Sequence, residues 1–71
     1  MNYEIKLLDT VALLKDIPGK KLVAGQVGTV VEKVGNDVFE IEFSNRLGIA
    51  IATAAVNKQD LLLLHYEVVA A

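Results

Sequence analysis

The sequence predicts an all-β fold, a small five-stranded barrel with one short helical turn before its last strand. Three observations predict it. Apolar residues alternate with polar ones at period two, and helical periodicity is weak. Turn residues (Gly, Asn, Asp, Pro) recur at short intervals between the apolar runs. Each run is only a few residues long, as strands of a small closed sheet are.

The first strand is read over Asp9–Leu14, with Val11 and Leu13 facing inward. A longer connection follows from Lys15 to Gln26. Within it Pro18-Gly19 sets a turn, because Pro fixes φ and Gly accepts the left-handed position. Gly25 and Gly28 bracket the start of the next strand and permit a bend or bulge. Thr29–Val34 and Asp37–Phe43 then form a tight antiparallel hairpin. Gly35-Asn36 between them suits a primed two-residue turn, since both tolerate positive φ. Along Val38–Phe43, Phe39, Ile41 and Phe43 share one face and Glu40 and Glu42 the other, the pattern of a strand with one wet face. Glu32 or Lys33 is expected to pair across the hairpin. Ser44–Gly48 is a loop and Ile49–Val56 the fourth strand. Asn57–Asp60 fits a single helical turn, and Leu61–Tyr66 is the last strand. Residues 1–8 form an N-terminal segment and 68–71 a frayed end of one domain spanning 1–71. A long first connection, a tight central hairpin and a polar turn before the last strand describe an SH3-like barrel, whose closure limits exposed strand edges.

Composition narrows the function. A chain of 71 residues has room for one domain of marginal stability. With no Cys and one His, His65, it can build neither a disulfide nor a thiolate or histidine-rich metal site, and no cofactor is expected. Hydrophobic residues make up 54% of the chain, a surplus that favours self-association. A net charge of −2 lacks the footprint of a phosphate-backbone binder. Glu4, Lys6 and Asp9 interrupt any signal-peptide core, and no run approaches the roughly 20 apolar residues of a membrane span. The chain starts at Met1 and reads as a complete cytoplasmic protein.

The chemistry-bearing residues do not assemble a catalytic site. Glu40 and Glu42 lie about 7 Å apart along one strand face, but a glycosidase pair needs a cleft and a stacking platform, and the chain has no Trp. Gly25-Gln26-Val27-Gly28 lacks the Lys-Ser/Thr and the helix of a phosphate loop. Ser44, Thr10, Thr29 and Thr53 have no base or orienting acid. No enzyme activity and no catalytic residue are expected. Lys15, Lys20 and Lys21 crowd one loop, and that loop can approach Arg46, with Lys58 a further cation. Lys20, Lys21 and Arg46 are thus the contacts of an alternative, nucleic-acid-binding reading. Such barrels stack bases on aromatics, and with Phe39 and Phe43 in the core only Tyr3 and Tyr66 remain for that.

The stretch "DTVALLKDIPGKKLVAGQVGTVVEKVGNDVFEIEFSNRLG" resembles a family of small bacterial SH3-like proteins, frequent in cyanobacteria, described only as a domain of unknown function. The likeness rests on an aspartate opening a β-run (Asp9-Thr10-Val11-Ala12-Leu13), a Pro-containing loop, and Gly25-x-x-Gly28-Thr29-Val30-Val31-Glu32. An alternating strand ending Glu42-Phe43 and a Gly-containing turn complete it, and it covers roughly Ile5 to Leu64. More distantly the chain is similar to KOW-type segments and to the SH3-like domain of the nitrile hydratase β-subunit. The shared Gly-x-x-Gly-Thr-Val core is a folding signature, so the resemblance implies a fold and no chemistry. This sequence departs from the family pattern in its fourth strand, where polar or aromatic residues give way to "GIAIATAAV".

That strand carries the functional expectation. Ile49, Ile51, Thr53 and Ala55 occupy one face, and Ala50, Ala52, Ala54 and Val56 the other, both without charge. The isoleucine face is expected to pack inward. The flat alanine face, with Leu62 and Leu64 of the last strand, is expected to form a protein interface. The expected assembly is a homo-oligomer, a dimer first, or a complex with an unidentified protein partner. The competing cover is the Tyr3–Leu8 segment of the same chain.

Overall fold

The computed structural model describes residues 4–65. Five strands follow one another: β1 (Thr10–Leu13), β2 (Val27–Lys33), β3 (Val38–Ser44), β4 (Ala50–Asn57) and β5 (Leu61–Leu63). They form a single antiparallel sheet in the order β4-β3-β2-β1-β5. Strands β1 to β4 are a meander, and the chain then returns to lay β5 beside β1. A single 3-10 turn, Lys58–Asp60, makes that return, as the polar Asn57–Asp60 stretch predicted. The Leu14 N–H donates to the Asp60 carbonyl (2.8 Å), and Lys15 Nζ lies 3.0 Å from the Asp60 carboxylate. Tyr3, Tyr66 and the expected frayed end 68–71 lie outside the described residues. No helix among the described residues is long and apolar enough to cross a membrane.

The core follows from period two. β1 gives Val11 and Leu13, β2 Val30, β3 Phe39, Ile41 and Phe43, β4 Ala54 and Val56, and β5 Leu61. Leu22 joins them from the β1–β2 connection, which a backbone bridge between Ile17 and Leu22 folds back onto the sheet, whose outer strands β4 and β5 are not paired with each other. Ile5 of the N-terminal segment packs against the same cluster. No polar or charged residue among those described is buried. Specificity here rests on apolar shape, with no buried polar network to satisfy.

The turns depart from expectation in two places. At the β2–β3 hairpin the Val34 N–H donates to the Val38 carbonyl (3.0 Å), leaving the three-residue loop Gly35-Asn36-Asp37. Neither Gly35 nor Asn36 takes a positive φ, so the turn is not primed. The twist that a primed turn would supply comes instead from a bulge at Val31, between the pairs Val30↔Ile41 and Glu32↔Glu40. The bulge also sets Glu32 opposite Glu40, so the expected opposite-charge pair across the hairpin does not form in register. In the first connection Pro18–Lys20 is a 3-10 turn in which Gly19 keeps a negative φ; Lys21 takes the left-handed position (φ 57°). Pro at the first position of such a turn is preorganised for it.

Gly28 is required by contact. A Cβ there would stand 2.6 Å from Ile41 Cγ2, 2.9 Å from the Glu42 carbonyl oxygen and 2.9 Å from Phe43 Cδ1. Since Gly28 pairs with Phe43 in a closed ladder, the backbone oxygen cannot yield. Gly28→Ala is expected to cost about 2 kcal/mol through overpacking. In a thermal melt this lowers the midpoint by about 10 °C; an unchanged midpoint would show that the β2–β3 packing is looser than described.

Candidate protein-interaction surface

The two faces of β4 are reversed from the sequence expectation. Ala54 and Val56 are buried, 4% and 3% exposed, and Ala52 packs against the core. Ile49 and Ile51 are 58% and 52% exposed. The register explains the reversal. Cross-strand partners share a face, and β4 pairs Ala52 with Phe43, Ala54 with Ile41 and Val56 with Phe39. Phe43 and Ile41 thus face alanines, and Phe39 faces the medium-sized Val56. Ala52, Ala54 and Val56 therefore face the core and Thr53 and Ala55 face out, while a bulge at Ile51 breaks the alternation and leaves Ala50, Ile49 and Ile51 exposed at the strand's start. Of the six residues expected at an interface, Ala54 and Val56 lie in the core, Ala52 is half-buried, and Ala50 is exposed.

The outer apolar surface thus consists of residues that strand alternation alone had assigned inward. Leu47, at the tip of the β3–β4 loop, is 83% exposed and continues the run of Ile49 and Ile51. Asn45 shapes that loop: its Oδ1 accepts from the N–H groups of Leu47 (2.9 Å) and Ile49 (3.1 Å). Gly48 takes φ +78° there and donates to the Asn45 carbonyl. A second bulge falls at Ile51, between the pairs Phe43↔Ala52 and Ser44↔Ala50. Beyond it the outer face of β4 carries Thr53, Ala55 and Asn57, all exposed and uncharged. The signal available in the sequence was size, since Ile41 and Phe43 find small partners in Ala54 and Ala52.

Leu62 stands outward on β5, 51% exposed, and Leu64 is half-buried with its N–H on the Thr10 carbonyl. Across the sheet the buried Ala12 pairs with the exposed Leu62 on one side and the exposed Val27 on the other. The described part of the N-terminal segment does not run along β4. Lys6 and Asp9 close a turn, and the Leu8 N–H donates to the Val30 carbonyl of β2 (2.7 Å). Leu8 itself is exposed at φ 71°.

Of the three contacts of the alternative reading, Lys20 is bonded within the chain, and the further cations Lys15 and Lys58 lie near carboxylates. Lys20 Nζ donates to the Thr53 carbonyl (2.9 Å), Lys15 pairs with Asp60, and Lys58 lies 3.8 Å from Asp37. Lys21 follows the 3-10 turn in the left-handed position, and Arg46 sits at the exposed β3–β4 loop. Glu40 and Glu42 remain on the outer face of β3, opposite Ala55 and Thr53 of β4. A groove of about 350 Å³ opens at the hairpin end of the sheet, lined by Glu4, Ile5, Lys33, Asn36, Asp37, Phe39 and Lys58. It does not include Glu40 or Glu42, so the paired carboxylates face no cavity there. Among the described residues no group of three His, Cys, Asp or Glu side chains is placed to hold a metal ion.

The sequence model of a family described as "Domain of unknown function (DUF4926)" matches residues 7–63, the whole sheet from β1 to β5. No curated protein and no solved structure matches the chain.

The reversed strand gives a direct test on two adjacent alanines. Ala54→Lys puts an unpaired charge into the core and is expected to cost about 3 kcal/mol or more. Ala55→Lys, on the outer face opposite Glu40, is expected to change stability by less than about 0.5 kcal/mol. Urea unfolding of the two variants reads the difference, and equal losses would mean that the faces are assigned wrongly.

Proposed function

We propose that this chain, which belongs to the family matched over residues 7–63, is a small SH3-like interaction module without catalytic activity. It associates with itself, and docks a partner protein, through the exposed apolar surface of Leu47, Ile49 and Ile51. The observation that carries this reading is that β4, an edge strand, has no charged side chain and opens on three exposed apolar residues, Leu47, Ile49 and the bulge residue Ile51. Edge strands that stay solvated are normally protected by charges, prolines or short length. β4 has eight residues and neither charge nor proline. The strand order, with β5 returning beside β1, supports the SH3-like assignment. Apolar burial is the driving force, about 2.5 kcal/mol for each 100 Å² removed from water before the costs of association.

The nucleic-acid alternative draws less support, because Lys20 is bonded to the β4 backbone and Lys15 and Lys58 to carboxylates.

The test is the solution mass by light scattering over a wide concentration range, for the natural chain and for Ile51→Glu. The natural chain is expected to be a dimer that Ile51→Glu returns to monomer with its melting temperature kept. A natural chain that stays monomeric at every concentration would end the self-association reading.

A further inference from the structure

We propose that Lys20 guards the open edge of β4 against backbone pairing with a second copy of this chain. The inference rests on the reading of β4 as a contact surface, but concerns the strand's backbone rather than its outer side chains.

The direction of the β4 backbone follows from the hairpin. The Val34 N–H bonds to the Val38 carbonyl, so Val38 turns its backbone groups toward β2. Antiparallel strands alternate, so Phe39, Ile41 and Phe43 turn theirs toward β4. Their partners Val56, Ala54 and Ala52 complete those bonds. The residues between, Thr53, Ala55 and Asn57, therefore aim both N–H and C=O away from the sheet. No strand lies on that side of β4. The Lys20 ammonium, reaching from the 3-10 turn of the β1–β2 connection, donates to the Thr53 carbonyl at 2.9 Å and so confirms the direction independently. It sits at the middle of the eight-residue strand. A strand seeking to pair there must displace a charged donor and place its own backbone beside an ammonium group, which is how a lysine protects an edge.

The occupant that this edge fits is its own copy. Charge decides it. From Leu47 to Asn57 the sequence has no charged side chain. A second β4 laid antiparallel with Thr53 against the partner's Thr53 brings the uncharged residues 51–55 of both chains together, Ile49 staying bonded to Asn45, and the only charges at the centre are the two Lys20 guards. Thr53 is also suited to that centre, because its N–H and C=O both face the edge and would exchange two bonds across a two-fold axis. Added strands of this kind gain affinity from main-chain bonds. The guard sets how readily those bonds form.

Sedimentation velocity on the full chain, over a concentration series, tests the guard with Lys20→Met, Lys20→Arg and the double variant Lys20→Met with Thr53→Lys. Lys20→Met keeps the stem and removes the donor and charge. It is expected to tighten the dimer by about a hundredfold, the worth of two charge-assisted hydrogen bonds, one displaced on each copy. Lys20→Arg keeps both and is expected to match the natural chain. Thr53→Lys, outward-facing and placed at the two-fold, is expected to cancel the gain, with circular dichroism confirming an intact fold. An unchanged dissociation constant for Lys20→Met overturns the proposal, as does a gain that survives Thr53→Lys. The two readings separate cleanly. If Ile51→Glu dissolves the natural dimer while Lys20→Met has no effect, the guard fails and the apolar surface stands. If the natural chain is monomeric and Lys20→Met dimerises, the guard stands and the apolar surface fails.

Discussion

The inward face of β3 is the constraint on which the rest of the sheet depends. Phe39, Ile41 and Phe43 project from it into a space that 71 residues can barely enclose. Ile41 lies between Val30 of β2 and Ala54 of β4, and Phe39 between Lys33 and Val56. Phe43 lies between Gly28 and Ala52, a row that reads small–large–small across three strands. This is how a core reaches close packing without a helix to cover it. It also explains why neither Gly28 nor the β4 alanines can be understood from their own strand alone. The Gly-x-x-Gly-Thr-Val segment and the "GIAIATAAV" segment are two sides of one fit around β3.

Two bulges adapt this flat arrangement to a curved one. Val31 on β2 and Ile51 on β4 each insert one residue against β3, the first near its middle and the second at its C-terminal end. Each adds local twist and bends its strand. The sheet can then curl around the three β3 side chains, and Leu22 of the β1–β2 connection joins the core. The left-handed turn at Lys21 belongs to the same connection, and it leaves Lys20 positioned over the edge of β4.

Much of the architecture was legible because it depends on local signals. The alternation of Val38–Phe43, the polar break at Lys58–Asp60 and the inward Val11 and Leu13 all follow from residues within a few positions of one another. What was not legible depends on register. Strand alternation gives two faces of β4 but cannot say which is inner, because both are apolar; only the pairing with Phe39, Ile41 and Phe43 decides it. The hairpin turn was misjudged for a similar reason. Gly35-Asn36 can form a primed turn, but the bulge at Val31 removed the need for one. Lys20 on the Thr53 carbonyl joins residues 33 positions apart, beyond the reach of any local pattern.

The two edges of the sheet are unequal, and this bears on what kind of assembly the fold permits. β4 offers eight residues and β5 only three. A contact from the edge of one chain's β4 to another chain's β5 would be head-to-tail. Such contacts repeat without closing unless their rotation happens to form a ring. A contact of β4 with β4 uses the same edge on both chains and closes at two. The short β5 makes the first arrangement poor, since three residues supply few main-chain bonds. The uncharged length of β4 makes the second arrangement possible, and a single ammonium group at its centre opposes it. An aliphatic chain with one long free edge is a candidate for open-ended aggregation. Here the asymmetry of edge length biases against filaments, and the lysine at Thr53 restrains the closed pair. The same β1–β2 connection that supplies Leu22 to the core thus also limits what the outside of the sheet can bind.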